Sequence, residues 1–88
     1  MYKNRAKDGR NNITGRAIAR YRLYMPDKPS QNDLAVLLQV NGLDIDKNAI
    51  QRIECGKRFV TDIELKMIAK VLQVSYSDLL DDESAEDK

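Results

Sequence analysis

Four polar side chains capable of pairing with nucleic-acid bases, Lys47, Asn48, Gln51 and Arg52, fall within one short stretch bounded by Asp46 and Gly56. Read as a helix, that stretch needs only Ala49, Ile50 and Ile53 to face inward, so the four project to the other side. Arg and Lys match the acceptors on the guanine edge in the major groove, and Asn and Gln can pair bidentately with adenine. The chemistry such a face could do is base readout. Taken alone, an outward polar helix face is more often simply hydrated, and that plain reading stays open at this point. Gly56-Lys57-Arg58 follows as a loop whose N–H groups and cations suit phosphate oxygens. Cys55, the single cysteine, has no evident role.

The elements that must position this face are short helices. Ser30-Gln31-Asn32-Asp33 has the S-x-x-D form of a helix start, with Pro29 just outside it and Leu34, Ala35, Leu37, Leu38 and Val40 following. A helix is therefore expected over Gln31 to Val40, broken by Asn41-Gly42. Asp46 starts the next, and Gly56 closes it. Upstream, Ile18, Tyr21 and Met25 share one stripe of a helix running from about Ile13-Thr14-Gly15 to Met25, which Pro26-Asp27-Lys28-Pro29 must end. Downstream, Thr61-x-x-Glu64 is a capping box opening a fourth helix with a core stripe of Leu65, Ile68, Ala69 and Leu72. Ser75-x-x-Asp78 opens a short fifth helix containing Leu79 and Leu80. Nothing alternates strictly enough to argue for a sheet, so the expected fold is all-α.

The net charge of +1 conceals an asymmetry. Residues 1–28 hold eight Lys or Arg against two Asp or Glu, residues 29–58 hold four of each, and residues 59–88 hold three against eight. A basic leading arm and an acidic tail favour an anionic partner at one end. Residues 1–12 carry Lys3, Arg5, Lys7 and Arg10 with almost nothing apolar, and are expected to be a flexible basic arm. It either neutralises phosphates or is merely solvated. Residues 13–80 form the domain, and residues 81–88 an acidic, disordered tail.

Several function classes are excluded by what the 88 residues lack. There is no His to activate Cys55 and no glycine-rich phosphate loop, so no enzyme is expected, nor a cofactor. No metal-ligand set appears. No apolar run approaches the roughly 18–20 residues of a membrane span, and the basic N-terminus lacks a signal peptide's apolar core. A reducing, cytoplasmic location follows, next to the nucleoid if DNA is the partner. Nothing points to a small-molecule effector, for which there is no separate domain.

The series Ser30-Gln31…Leu34-Ala35…Leu38-Gln39-Val40…Ile50-Gln51-Arg52-Ile53-Glu54-Cys55-Gly56-Lys57-Arg58 resembles the helix-turn-helix of Cro and the phage repressors, the Xre-type bacterial regulators. The resemblance continues through Leu65, Ile68-Ala69, Leu72, Val74-Ser75 and Leu79. It implies a compact five-helix, lambda-repressor-like DNA-binding domain. In that fold helix three reads bases in double-stranded DNA through Lys47, Asn48, Gln51 and Arg52. Gln31, Lys57 and Arg58 would contact phosphate, and Arg22 would pair with Glu54 as a structural ion pair. It also implies a homodimer joined within the small bundle, with Tyr76 and Leu80 among the candidate contacts. One departure is the link from Val40 to Ile50, about five residues longer than the family's commonest form, whose turn takes roughly 3–4 residues. Val36 and Leu37 are apolar where the family is usually polar. The extended turn, through Leu43 and Ile45, is expected to cover them, with a dimer contact as the rival.

Two functional readings follow. One is a sequence-specific DNA-binding transcriptional regulator of bacterial or phage type, a repressor acting by occupying its operator. The other is a protein-interaction module, antitoxin-like or adaptor-like, whose bundle binds a partner chain through Val36, Leu37, Leu43 and Tyr76.

Overall fold

The computed structural model describes residues 9–81, and these form five helices with no strand among the described residues. They are α1 (Gly15–Tyr24), α2 (Gln31–Val40), α3 (Lys47–Glu54), α4 (Asp62–Leu72) and α5 (Tyr76–Leu80). The expected tail at residues 82–88 lies outside the described residues, as does the arm over residues 1–8.

Local capping sets where the helices begin. Ser30, Thr61 and Ser75 each accept the N3 backbone N–H while the N3 carboxylate of Asp33, Glu64 or Asp78 accepts the cap's own N–H. Asp46 caps α3 by accepting from the Ala49 N–H at 2.8 Å. α1 differs: its cap residue, Thr14, makes no side-chain capping bond, and Asn12 Oδ1 takes the Gly15 N–H instead, at 2.8 Å.

The ends share one device. After α2, the Gly42 N–H reaches the Gln39 carbonyl at 3.0 Å and the Leu43 N–H reaches that of Leu38 at 2.9 Å. Gln73 and Val74 repeat the pattern on Lys70 and Ala69 at the end of α4. The motif puts its first donor in the left-handed region, where Gly42 sits at φ +97° and Gln73 at φ +61°. Glycine belongs at the first, whereas glutamine bears a strain at the second.

The core lies where α1, α2, α3 and α4 converge and α5 closes one side. Ile18, Leu34, Leu38, Ile50, Ile53, Ile68 and Leu79 are its large, fully buried members. Ile45, from the extended turn, joins them at 3% exposure, and the Gln39 amide pins that turn by donating to the Ile45 carbonyl at 2.8 Å. This corrects the expected role of the turn. Ile45 is buried and Leu43 packs against the core cluster, so the turn runs under the helix. Val36, Leu37 and Val40 therefore stay exposed on its outer side.

The two left-handed positions should respond oppositely. Gln73→Gly is expected to raise unfolding free energy by about 1 kcal/mol, and Gly42→Ala to lower it by about 1 kcal/mol. A Cβ at Gly42 meets nothing within 4 Å, so the loss there is backbone strain alone. Urea denaturation of the two variants checks both signs.

Candidate nucleic-acid interface

α3 buries Ile50 and Ile53, half-buries Ala49 and presents Lys47, Asn48, Gln51 and Arg52 to solvent. None of those four side chains makes a hydrogen bond or ion pair with another described residue. The extended turn does not lie over them, since Ile45 has gone into the core. Cys55, exposed, sits on the same outer face with its thiol directed at the Arg52 carbonyl, 3.6 Å away.

The opposite, inner edge of α3 ends in Glu54, whose side chain is 8% exposed. Arg22 on α1 grips that carboxylate with both arms of its guanidinium, Nε to Oε2 at 2.9 Å and Nη2 to Oε1 at 3.0 Å. Its third arm, Nη1, donates to the Pro29 carbonyl at 2.9 Å. Gln31, the first residue of α2, donates its amide to Glu54 Oε1 at 2.8 Å. One carboxylate thus joins α1, α2 and α3, with charge-assisted bonds in a site shielded from water.

Two of the residues expected at phosphate, Gln31 and Arg58, have partners within the fold. The Gln31 amide gives one of its two N–H groups to Glu54. Arg58 is bound in a two-pronged pair to Glu64, Nη1 to Oε1 and Nη2 to Oε2 at 2.8 Å each, so its charge is neutralised within the fold. Lys57 remains exposed with its ammonium uncommitted to any described residue. The Arg58 hydrogen bond holds the Glu64 carboxyl below the ordinary glutamate range, against the opposing effect of burial. The pair raises the Arg58 guanidinium in turn.

The expected flexible arm over residues 1–12 is also corrected at its inner end, because residues 10–12 are strapped across the end of α3. Arg10 Nη2 donates to the Glu54 carbonyl at 2.8 Å. The Asn11 N–H donates to the Gly56 carbonyl at 2.8 Å, and its side-chain amide to that of Lys57 at 3.0 Å. Asn12 Nδ2 donates to the carbonyls of Ile53 at 3.0 Å and Arg58 at 2.7 Å. Carbonyls at a helix C-terminus lack intrahelical donors, and the strap supplies them together with a cation at the negative dipole end. Beneath it α1 and α3 meet backbone to backbone: a Cβ on Gly15 would collide with the Ile53 carbonyl oxygen. Sequence reasoning missed these three residues because their partners lie more than forty positions away.

Among the described residues no group of three or more His, Cys, Asp or Glu is gathered as a metal site, and no helix is long and apolar enough to cross a membrane. Among the described residues, fold and geometry together define a small all-helical domain whose third helix carries an uncommitted polar face. No family model matches the chain, and no curated protein or solved structure matches it either.

Glu54→Ala, which strands the Arg22 guanidinium, is expected to cost about 3–5 kcal/mol in a urea melt. The Arg58–Glu64 pair contributes differently. Because Glu64 is depressed in the folded state, its stabilisation is full above the ordinary glutamate range and is lost as pH falls through the lowered folded value. Glu64→Gln keeps a side-chain acceptor for the Thr61 N–H, so this variant should flatten the acid limb of the stability–pH curve without unmaking α4.

Proposed function

We propose that this protein is a sequence-specific, double-stranded-DNA-binding transcriptional regulator, a repressor of the Cro and Xre type that acts by occupying its operator. The observation that carries the reading is the outer face of α3. Its four base-pairing side chains are exposed and uncommitted, while Glu54, Gln31, Arg22, Arg58 and the strap residues around them are engaged in holding the scaffold. A polar face that is merely wet has no need of so firm a mount.

The mechanism is geometric. With its side chains an α-helix is about 10–12 Å across, which fits the major groove's width of about 12 Å. Lys47 and Asn48 on the first turn meet base edges first, and Gln51 and Arg52 follow one turn on. Lys47 and Arg52 donate to guanine O6 and N7, while Asn48 and Gln51 pair with adenine N6 and N7. Lys57, beyond the end of the helix, contacts phosphate and sets register without reading sequence. Bound as a two-fold dimer, two copies would read half-sites about 10–10.5 base pairs apart, or a multiple of that. The work would be done in the cytoplasm, on the nucleoid, without a small-molecule effector.

A second reading, a protein-interaction module of antitoxin or adaptor kind, draws on a different feature. α4 and α5 flank an open apolar groove of about 830 Å3 lined by Ile63, Met67, Val74 and Tyr76, with Lys66 and Lys70 at its edge. Such a groove suits a partner chain, including a second copy. The two readings separate on purification: the module would bind no DNA alone and would be recovered with a stoichiometric partner.

Mobility-shift titrations across salt, with DNA from around the protein's own gene, test the regulator reading. Affinity should fall with salt at a log–log slope of about −0.9 per phosphate neutralised. Lys47→Ala, Asn48→Ala, Gln51→Ala and Arg52→Ala should each cost about 1–3 kcal/mol and relax one base position. Lys57→Ala should weaken all sequences alike and reduce the slope by about 1. Identical behaviour of the helix-face and loop variants would refute the division of roles.

A further inference from the structure

Resting on the DNA-binding reading, we infer that Asn12, outside the α2–turn–α3 unit, is a positioning residue that sets the aim of α3 and so governs sequence discrimination. Three of its bonds do this. Asn12 Oδ1 accepts the first N–H of α1, from Gly15, at 2.8 Å, while Nδ2 reaches the Ile53 carbonyl in the last turn of α3 and the Arg58 carbonyl in the loop beyond. Both amide donors and the amide acceptor are engaged, so the carboxamide is a rigid bracket between α1, α3 and the loop.

The position of the bracket gives it leverage. α3 has only eight residues, Glu54 fixes the inner side of its last turn, and its first turn is held only by the local Asp46 cap on the Ala49 N–H. The direction of α3 is therefore set at its C-terminal end, where the Gly15–Ile53 approach leaves no side chain as cushion, and a change of angle there is carried along the helix to Lys47 and Asn48. The Arg10 and Asn11 bonds on Glu54, Gly56 and Lys57 close the same end from the outside. A base-reading side chain must be held to within roughly 0.5 Å to make a bidentate contact, whereas phosphate attraction tolerates a larger displacement. Losing the bracket therefore erodes base discrimination first and leaves sequence-independent affinity in place.

The experiment compares the full chain with Asn12→Ala and Asn12→Asp. The aspartate keeps the acceptor for Gly15 and loses both donors. Ser75→Ala, a cap removed from another part of the fold, serves as the control for simple destabilisation. Dissociation constants are measured across salt for a duplex enriched from a random pool by the wild-type chain and for a scrambled duplex. The orientation of the α3 backbone relative to α1 is measured in parallel by residual dipolar couplings without DNA. For both Asn12 variants the specificity ratio should fall about tenfold or more. The α3 couplings should shift in both, and scrambled-duplex affinity and salt slope should stay unchanged in Asn12→Ala, which alters no charge, while Ser75→Ala changes none of these. An unchanged ratio in folded Asn12 variants overturns the inference, as does failure of both variants to fold, which would make Asn12 a structural residue only. If the wild-type chain enriches no duplex, it is the DNA-binding reading that fails. The couplings then decide alone whether Asn12 aims α3, and unshifted couplings overturn that too.

Discussion

The carboxylate of Glu54 is the point through which the structure is tied together. It receives two N–H groups from Arg22 and one from Gln31, and so ties the first three helices to one pair of oxygens. Removing such a group from water is costly, and only multiple charge-assisted bonds offset the loss. The consequence is geometric as much as energetic. A cluster of aliphatic side chains such as Ile50, Ile53 and Leu38 packs α3 against its neighbours but lets it slide and roll. A forked guanidinium on a carboxylate admits little of either.

A second constraint acts at the other side of the same helix end. The segment from Arg10 to Asn12 donates to the carbonyls of Ile53, Glu54, Gly56, Lys57 and Arg58, the first of which also accepts the Gly56 N–H. Between Glu54 within and the strap without, the C-terminal end of α3 is held on two sides, and the polar face between them is left open. Arg58 belongs to the frame as well, since its pair with Glu64 stiffens the passage from the loop into α4. Basic residues near the face thus divide into those that build the mount and those, Lys47, Arg52 and Lys57, that remain available to an anionic partner.

Legibility in the sequence followed the range of the interaction. Helix starts at Ser30, Asp46, Thr61 and Ser75 are written in three-residue spacings, because a cap and its partner are neighbours in the chain. The buried stripe Ile68, Ala69 and Leu72 is written in helical periodicity for the same reason. Long-range pairings are not written this way. Asn11-Asn12 reads as an ordinary polar tail, and nothing local announces that its partners begin at Ile53. Arg58 is six positions from Glu64, across a loop and a cap, outside any helical spacing rule, so its sequence context suggests only a basic loop residue. Gln31 sits at a helix start where an anion is welcome, yet the anion it meets is an internal one, Glu54. Proximity in sequence points the extended turn at Val36 and Leu37. Burial of Ile45 and the Gln39 bond to its carbonyl hold it inward instead.

The central claim is that the outer face of α3, held rigid from behind, discriminates base sequence in duplex DNA. Selection of bound duplexes from a random pool by the full chain tests it most directly. The account predicts progressive enrichment of one short motif. Recovery of a pool no different from the starting one, or no recovery of DNA at all, would contradict it.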